Sequence, residues 1–266
     1  MGNTYEETLA QGIALVESGD LPGAEKVFRR CIEMEPSKAE GHFFLGELLV
    51  EEGRHEAAAA AYEEGLKLAP DDGEALTALG DVYFELGRHK DALKHYTKVI
   101  SLDPKNADGY VNIGLVYTSL ERAEEAIKSF TTALEIDPHN VFAYNGLGDA
   151  WYGLGERDKA IGAFTKVIEL DPHDAAAHFN LGDLYYDLGE HENAERECLE
   201  AIRLDPSFTL AYLTLGSLCL DHERVRDAIA HFESYLTMEK SPQAAEMVAE
   251  VKAVLEGLRE ETAKKA

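Results

Sequence analysis

Apolar residues recur at steps of three and four along almost the whole chain. Leu79, Val82, Tyr83 and Leu86 show the spacing, which places apolar side chains on one face of an α-helix. Glycine follows many of these runs at a constant distance, and a glycine in the left-handed region commonly ends a helix. The pattern therefore predicts an all-α chain of short amphipathic helices. The glycines in question are Gly19, Gly53, Gly87, Gly155 and Gly189.

The pattern has a period of 34 residues. Six of the eight prolines follow this interval and take repeat position 32. Position eight is then glycine in all seven repeats, position 20 is alanine in all seven, and position 24 is Phe or Tyr in every repeat except the sixth, which has Cys198. The six prolines are Pro36, Pro70, Pro104, Pro138, Pro172 and Pro206. The predicted repeats are 5–38, 39–72, 73–106, 107–140, 141–174, 175–208 and 209–242.

The combination of Leu-Gly-x-x-Tyr, Ala-x-x-x-Phe and proline at this period resembles the tetratricopeptide repeat. The likeness covers residues 5 to about 240. It implies that each repeat is a helix-turn-helix pair and that the seven pairs stack into a right-handed α-solenoid superhelix with a concave face. Residues 243–266 are predicted to form a C-terminal capping helix and short tail. The apolar side of this helix is Met247, Val248, Val251, Val254, Leu255 and Leu258.

Two local features follow from the repeat. Glu121 and Glu223 stand where the other five repeats have the turn glycine, so these two turns are expected to differ. A polar residue shortly after the proline can cap the next helix through its side-chain oxygen. The expected capping residues are Asp72, Asn106, Asn140 and Asp174.

The charge of the chain narrows the choice of partner. There are 51 acidic and 25 basic residues, a net charge of -26 at pH 7. Such a surface repels nucleic-acid phosphates and anionic lipids, so a basic peptide or protein is the expected partner and nucleic acid is not. The N-terminal segment lacks the features of a signal peptide, and no apolar run is long enough to span a membrane. We therefore expect a cytoplasmic protein without membrane insertion.

Motifs for catalysis are missing from the sequence. There is no phosphate-binding loop, no dinucleotide glycine motif and no nucleophile elbow. Histidines recur at fixed repeat positions because the repeat recurs, and the three cysteines are too few and too scattered for a disulfide framework. The expectation is a protein that is not an enzyme and that needs no cofactor or metal.

The resemblance places positions two, five, nine, 12 and 13 of each first helix on the concave surface, and these positions share one helical face. Positions two, nine and 13 supply 21 residues, of which 13 are acidic and none is basic, where the overall composition would give about four acidic residues. Apolar and aromatic residues lie between them. The predicted groove residues are Glu40, Phe43, Glu47, Glu51, Glu74, Asp81, Phe84, Glu85, Asp108, Asn112, Asn145, Asp149, Tyr152, Phe179, Asn180, Asp183, Tyr186 and Asp187.

A second interpretation of the same residues stays open. A very acidic protein carries acids on every solvated face, and aromatic residues at position 12 can simply pack on the adjacent repeat. The sequence therefore leaves a choice between a binding groove for a basic segment and an ordinary solvated face.

Two binding modes known for this family match poorly. The clamp for acidic chaperone tails uses lysine, arginine and asparagine, but the corresponding slots of the leading repeats hold apolar or acidic residues. The asparagine ladder of sugar-transferase superhelices needs asparagine repeatedly at position six, where only Asn112 and Asn180 fit, with Asn145 one position early. The acidic-tail mode is disfavoured and the ladder is a partial match. The clamp slots are Leu9, Ile13, Phe44, Glu74 and Ala78.

These observations predict a non-catalytic scaffold or adaptor for protein–protein interaction. Its guest would be a basic, partly apolar peptide or protein segment bound in an acidic concave groove. Two alternatives remain: a regulatory or targeting domain of a larger enzyme or complex, and a self-assembling homo-oligomer.

Overall fold

The computed structural model describes residues 4–265, and within this range it contains fifteen α-helices, one short 3-10 helix and no strand. The chain is an all-α helical repeat solenoid. The helices are α1 Tyr5–Glu17, α2 Leu21–Met34, α3 Glu40–Glu51, α4 His55–Leu68, α5 Gly73–Glu85, α6 His89–Leu102, α7 Ala107–Ser119, α8 Ala123–Ile136, α9 Val141–Gly153, α10 Arg157–Leu170, α11 Ala175–Asp187, α12 His191–Leu204, α13 Thr209–Asp221, α14 Val225–Met238 and α15 Ala245–Lys265.

The chain divides into two compact units, with the boundary inside α9. Unit 1 ends at Gly146 and unit 2 begins at Leu147. In unit 1, consecutive helices from α1 to α8 pack on each other, and one cluster of buried side chains runs from α2 to α7. In unit 2, the helices from α10 to α15 pack in the same consecutive manner, and α11 also contacts α13.

Within a repeat, the aromatic ring at position 24 lies directly on the glycine at position eight. A Cβ atom on Gly80 would stand 2.5 Å from Cε1 of Tyr96, and a Cβ atom on Gly114 would stand 2.5 Å from Cε1 of Phe130. No real Cβ atom tolerates so short a contact, so the close approach of the two helices requires glycine here. Ala92, on the facing helix, is completely buried, and its small side chain permits the same approach.

The predicted helix caps are confirmed. The side-chain oxygen of Asp72 accepts a hydrogen bond from the Ala75 amide at 2.9 Å. Asn106, Asn140 and Asp174 cap their helices in the same way. Each bond satisfies one of the amide groups that a helix start leaves without an internal partner.

The expectation that the turns at Glu121 and Glu223 differ is wrong. Their φ angles are 56° and 58°, so both residues adopt the left-handed conformation that glycine adopts in the other repeats. The backbone still makes the same closing bonds, as from the Arg122 amide to the Tyr117 carbonyl at 2.9 Å. The turn is therefore imposed by the packing of the two helices that it joins, at a cost in backbone strain at the two glutamates.

The end of unit 2 is covered by α15. Val251 and Leu255 are buried against a cluster on α13 and α14, and Val248 and Leu258 pack at its edge. Met247 and Val254 are 40% and 41% exposed, so assigning these two residues to the packed side of the helix was wrong. Both residues lie beside the stripe of α15 that contacts its neighbours, because two packed helices touch along only a narrow part of their surfaces.

Gln11 breaks the repeat at position seven, where the other repeats have leucine or isoleucine, and it is exposed. Its counterparts Leu45 and Leu79 are buried at 5% and 0% exposure. Position seven of α1 is therefore polar and exposed where the same position in α3 and α5 is apolar and buried. Among the described residues, no helix combines the length and the apolar character that crossing a bilayer requires.

Candidate binding groove

Three adjoining depressions run along the first helices of the repeats in unit 1. The first, between α1 and α3, has a volume of about 190 Å³, the second about 240 Å³ and the third about 230 Å³. Glu47 lines all three, Phe44 lines the first and second, and Tyr62 and Ala78 line the second and third. Because they share these lining residues, the three depressions adjoin one another, and together they are called here the acidic groove.

The formally charged residues that line the acidic groove are all acidic. Eight acidic residues line it, and the lining contains no lysine or arginine. Six of the carboxylates, all except those of Asp72 and Asp81, form neither a hydrogen bond nor an ion pair with any described residue. The groove is therefore a row of carboxylates without cationic partners in this chain. The eight acids are Glu17, Glu40, Glu47, Glu51, Asp72, Glu74, Asp81 and Glu85.

The nearest basic residues are engaged elsewhere. Glu25 on α2 accepts hydrogen bonds from both Arg29 and Arg54, and Lys38 pairs with the exposed Glu6 at 2.9 Å. Positive charge in this part of unit 1 thus lies on the second helices and on the loops, outside the groove lining.

The carboxylates that follow the invariant glycine are accessible to solvent and yet partly desolvated. Burial raises the pKa of Glu47, and the neighbouring charge of Glu74 raises it further. Burial also raises the pKa of Asp81, although the Tyr96 hydroxyl donates a hydrogen bond to this carboxylate at 2.6 Å and opposes the shift. Both carboxylates therefore touch solvent while nearby protein disfavours their charged form.

Aromatic residues form the apolar part of the groove. The ring of Phe43 stacks on that of Tyr62 with centroids 6.3 Å apart, and the ring of Phe44 stacks on that of Phe28 at 5.7 Å. Phe43 also covers the backbone of Gly65, where an added Cβ atom would come within 2.3 Å of its ring. These rings are held by the core on one side and reach the groove on the other, so they are rigid contact surfaces.

The sequence reasoning left several lining residues out of the predicted groove, and two tyrosines show why. Tyr62 and Tyr96 occupy position 24, which the repeat assigns to the core, and their rings are indeed buried. Tyr62 nevertheless lines two depressions, and the Tyr96 hydroxyl reaches Asp81. The available signal was the hydroxyl itself, because repeats two and three have tyrosine where most other repeats have phenylalanine.

The predicted groove residues of unit 2 are engaged with one another. The Tyr152 hydroxyl donates to Asp187 at 2.5 Å, and the Tyr186 hydroxyl donates to Asp221 at 2.8 Å. Both bonds join position 12 of one repeat to position 13 of the next. We call this pair of bonds the tyrosine–aspartate ladder. It favours, for these positions, the interpretation that aromatic side chains at position 12 pack on the adjacent repeat.

Two of the other predicted residues of unit 2, Asp183 and Phe179, also have partners within it. Asp183 accepts a hydrogen bond from the Thr214 hydroxyl at 3.1 Å, and the ring of Phe179 packs on Phe208 at 5.1 Å. Asn180 is half-buried. Asp149 has no hydrogen bond with any described residue, and burial raises its pKa.

Four predicted residues of unit 1 lie outside the lining of the three depressions. Asp108 accepts a hydrogen bond from the Asn140 side-chain amide at 3.1 Å. Phe84 is half-buried, with its ring 5.7 Å from that of His89. Asn112 and Asn145 are both half-buried. The structure therefore collects seven of the predicted residues in the acidic groove: Glu40, Phe43, Glu47, Glu51, Glu74, Asp81 and Glu85.

Metal ligands and reactive thiols were sought among the described residues. These residues contain no group of three or more His, Cys, Asp or Glu residues arranged to hold a metal ion. Cys31, Cys198 and Cys219 are buried and free. Burial raises the pKa of the Cys198 thiol to about 12, which keeps it in the unreactive protonated form.

Family models match most of the chain. Models described as "Tetratricopeptide repeat" match residues 9–73, 107–140 and 145–207, and a model described as "TPR repeat" matches residues 80–120. A search of curated proteins found no match.

Solved structures of similar architecture are numerous. A tetratricopeptide repeat protein from Parabacteroides merdae ATCC 43184 is 22% identical, with a TM-score of 0.76 over 97% of this chain and 100% of that one. MamA is 27% identical, with a TM-score of 0.59 over 66% of this chain and 96% of its own. YrrB, described as a TPR protein with an unusual peptide-binding site, is 27% identical, with a TM-score of 0.53 over 69% of this chain and 95% of its own.

Proposed function

Because this chain belongs to the tetratricopeptide repeat family, whose members generally bind protein partners, we propose that it is a non-catalytic scaffold for protein–protein interaction. Its guest is a basic, partly apolar peptide or protein segment, which occupies the acidic groove of unit 1. The observation that carries the proposal is the lining of that groove, with eight acidic residues and no lysine or arginine around accessible aromatic rings.

The energetics of the empty groove favour a cationic guest. Glu47 and Glu74 repel each other, and burial already disfavours the charged form of Glu47. A lysine or arginine side chain would relieve this repulsion and supply the missing hydrogen-bond donors. Long-range attraction between the guest and a chain of net charge -26 would also accelerate their encounter.

The aromatic residues explain why the guest is partly apolar. Phe43 and Phe44 are half-buried and present ring surface to the groove, and each stacks on a buried ring, Tyr62 and Phe28 respectively. Rigid aromatic surface loses little conformational entropy on binding, and such residues often dominate the binding energy. The likeness to YrrB, described as having an unusual peptide-binding site, supports a peptide as the form of the guest.

The test is a binding titration with fluorescent peptides that contain alternating lysine and leucine, and matched peptides that contain glutamate and leucine. The basic peptides should bind, and their affinity should fall about tenfold between about 50 mM and about 300 mM salt. The triple charge reversal Glu47→Lys, Asp81→Lys and Glu85→Lys should abolish binding.

The matched control reverses three acids on the second helices of unit 1: Glu33→Lys, Glu56→Lys and Glu135→Lys. These residues are exposed and lie outside the acidic groove, and the total change in charge is the same. Equal loss of binding in both triple variants would show that net charge, and not the groove, attracts the peptide.

A further inference from the structure

The three depressions of the acidic groove differ in their aromatic content. The second is lined by the half-buried rings of Phe43 and Phe44, by Tyr62, which is only 3% exposed, and by four carboxylates. The third has the imidazole ring of His55 and the ring of Tyr62 and no phenylalanine. The first has the rings of Phe28 and Phe44, but Phe28 is only 1% exposed. The second depression therefore combines ring surface and negative charge more densely than its neighbours.

The carboxylates of the second depression come from two successive repeats. Glu47 lies on α3 and Glu74 lies on α5, and neither has a hydrogen-bond donor among the described residues. The charge of Glu74 raises the pKa of Glu47, so the two groups are close enough to feel each other. Asp72 also lines the depression, but it already caps α5. Two acceptors without donors, from two different helices, thus line the same depression.

We propose that the second depression holds an arginine side chain of the guest segment. A guanidinium group is planar and carries five N–H donors in a fork, so it can stack on a ring and donate to two separate carboxylates at once. An ammonium group is a compact and strongly hydrated charge, and it gains less from an aromatic face. The combination of ring surface with two unpaired carboxylates therefore favours arginine over lysine at this point. This inference rests on the proposed function, because it concerns one side chain of the same guest.

The experiment compares pentapeptides Lys-Lys-Xaa-Lys-Lys in which the central residue is arginine, lysine or citrulline. Citrulline has nearly the shape of arginine but no charge. Isothermal titration calorimetry on the unmodified protein should show the arginine peptide binding about fivefold more tightly than the lysine peptide, and the citrulline peptide binding most weakly. This comparison needs no protein variant, so it does not depend on how a substitution affects folding.

Two variants then test whether the second depression is the source of the preference for arginine over lysine. Phe43→Leu removes a ring from the depression and should reduce the ratio of arginine to lysine affinity to about one. Phe179→Leu is the matched control, since Phe179 also occupies position five of its repeat but lies in unit 2. This control should keep the preference for arginine.

The possible results separate this inference from the proposed function. Equal affinity for the arginine and lysine peptides, with both lost on triple charge reversal, would overturn the arginine site and leave the basic groove standing. If none of the peptides binds, both the arginine site and the proposed function are wrong. Agmatine, a small free guanidine, is the last probe. If it displaced the arginine peptide at equal affinity, the ligand would be a small molecule and the assignment to a protein side chain would be wrong.

Discussion

The hydroxyl of Tyr152 donates a hydrogen bond to the carboxylate of Asp187, which lies 35 residues further along the chain and 2.5 Å away. The same relationship joins Tyr186 to Asp221. Each bond ties the first helix of one repeat to the first helix of the next, on the face that the repeat pattern assigns to the concave side. The ladder thus uses groove positions to hold successive repeats of unit 2 together, whereas the corresponding acids of unit 1 are left without partners.

The ladder should contribute measurably to stability. Tyr152→Phe removes the donor and keeps the ring, and we expect it to lower the free energy of unfolding by about 1 kcal/mol. A double-mutant cycle with Asp187→Asn, followed by urea denaturation, separates the bond from other effects. If the two substitutions are additive, the bond contributes nothing.

The same bond should be visible in the ionisation of the tyrosine. The hydrogen bond to Asp187, together with burial, raises the pKa of Tyr152 to about 12. Ultraviolet titration of the wild type and of Tyr152→Phe should therefore differ only at strongly alkaline pH. In Asp187→Asn the pKa of Tyr152 should fall, because the neutral amide no longer disfavours the phenolate. An unchanged titration in that variant would contradict the assignment.

Glu121→Gly should stabilise the protein. Glu121 has a φ of 56°, a conformation that costs a residue with a Cβ atom about 1 kcal/mol or more. Glycine avoids this strain but gains freedom in the unfolded chain, so we expect a net gain of about 0.5 kcal/mol in the free energy of unfolding. Glu121→Ala is the control, since it removes the charge and keeps the strain. A gain of the same size in both variants would point to charge and not to the backbone.

The contact between Gly80 and Tyr96 gives a third stability prediction. A Cβ atom at position 80 would stand 2.5 Å from the ring, so Gly80→Ala should cost about 2 kcal/mol, measured by thermal or urea unfolding. Gly73→Ala, in the same helix, meets no atom within 4 Å and should be neutral or slightly stabilising. Similar losses in the two variants would mean that the ring contact does not set the result, because helix propensity alone favours alanine at both positions.

The desolvated carboxylate of Asp149 should reduce stability at neutral pH. Burial raises its pKa in the folded protein, so the folded state binds the proton more tightly than the unfolded state does. This contribution favours folding at acid pH and is lost as the pH rises through the folded pKa. Asp149→Asn should therefore raise the free energy of unfolding near pH 7 by about 0.5 kcal/mol, and the gain should shrink as the pH falls to about 4. Glu135→Gln, at an exposed position, should show no such gain. A pH-independent effect of Asp149→Asn would contradict this account.

Much of the architecture is encoded locally and was predicted from the sequence. The period of 34 residues, the glycine and alanine of each helix pair and the caps at Asp72 and Asn106 depend on residues close in the chain or in the neighbouring repeat. For the same reason, the acids that line the groove of unit 1, such as Glu47, could be selected from their repeat positions. Spacing along a helix determines which side chains share a face.

Only the tertiary structure decided which of those side chains have partners. The bond from Tyr152 to Asp187 and the reach of the Tyr96 hydroxyl to Asp81 depend on how neighbouring helices are placed, which a repeat pattern does not specify. Glu121 adopts the positive φ of a glycine turn because the two packed helices that it joins require this turn. A residue with a Cβ atom by itself favours a negative φ. Hydrophobic periodicity is a property of one helix, whereas a hydrogen bond or a strained turn is decided by the energy of several helices packed together.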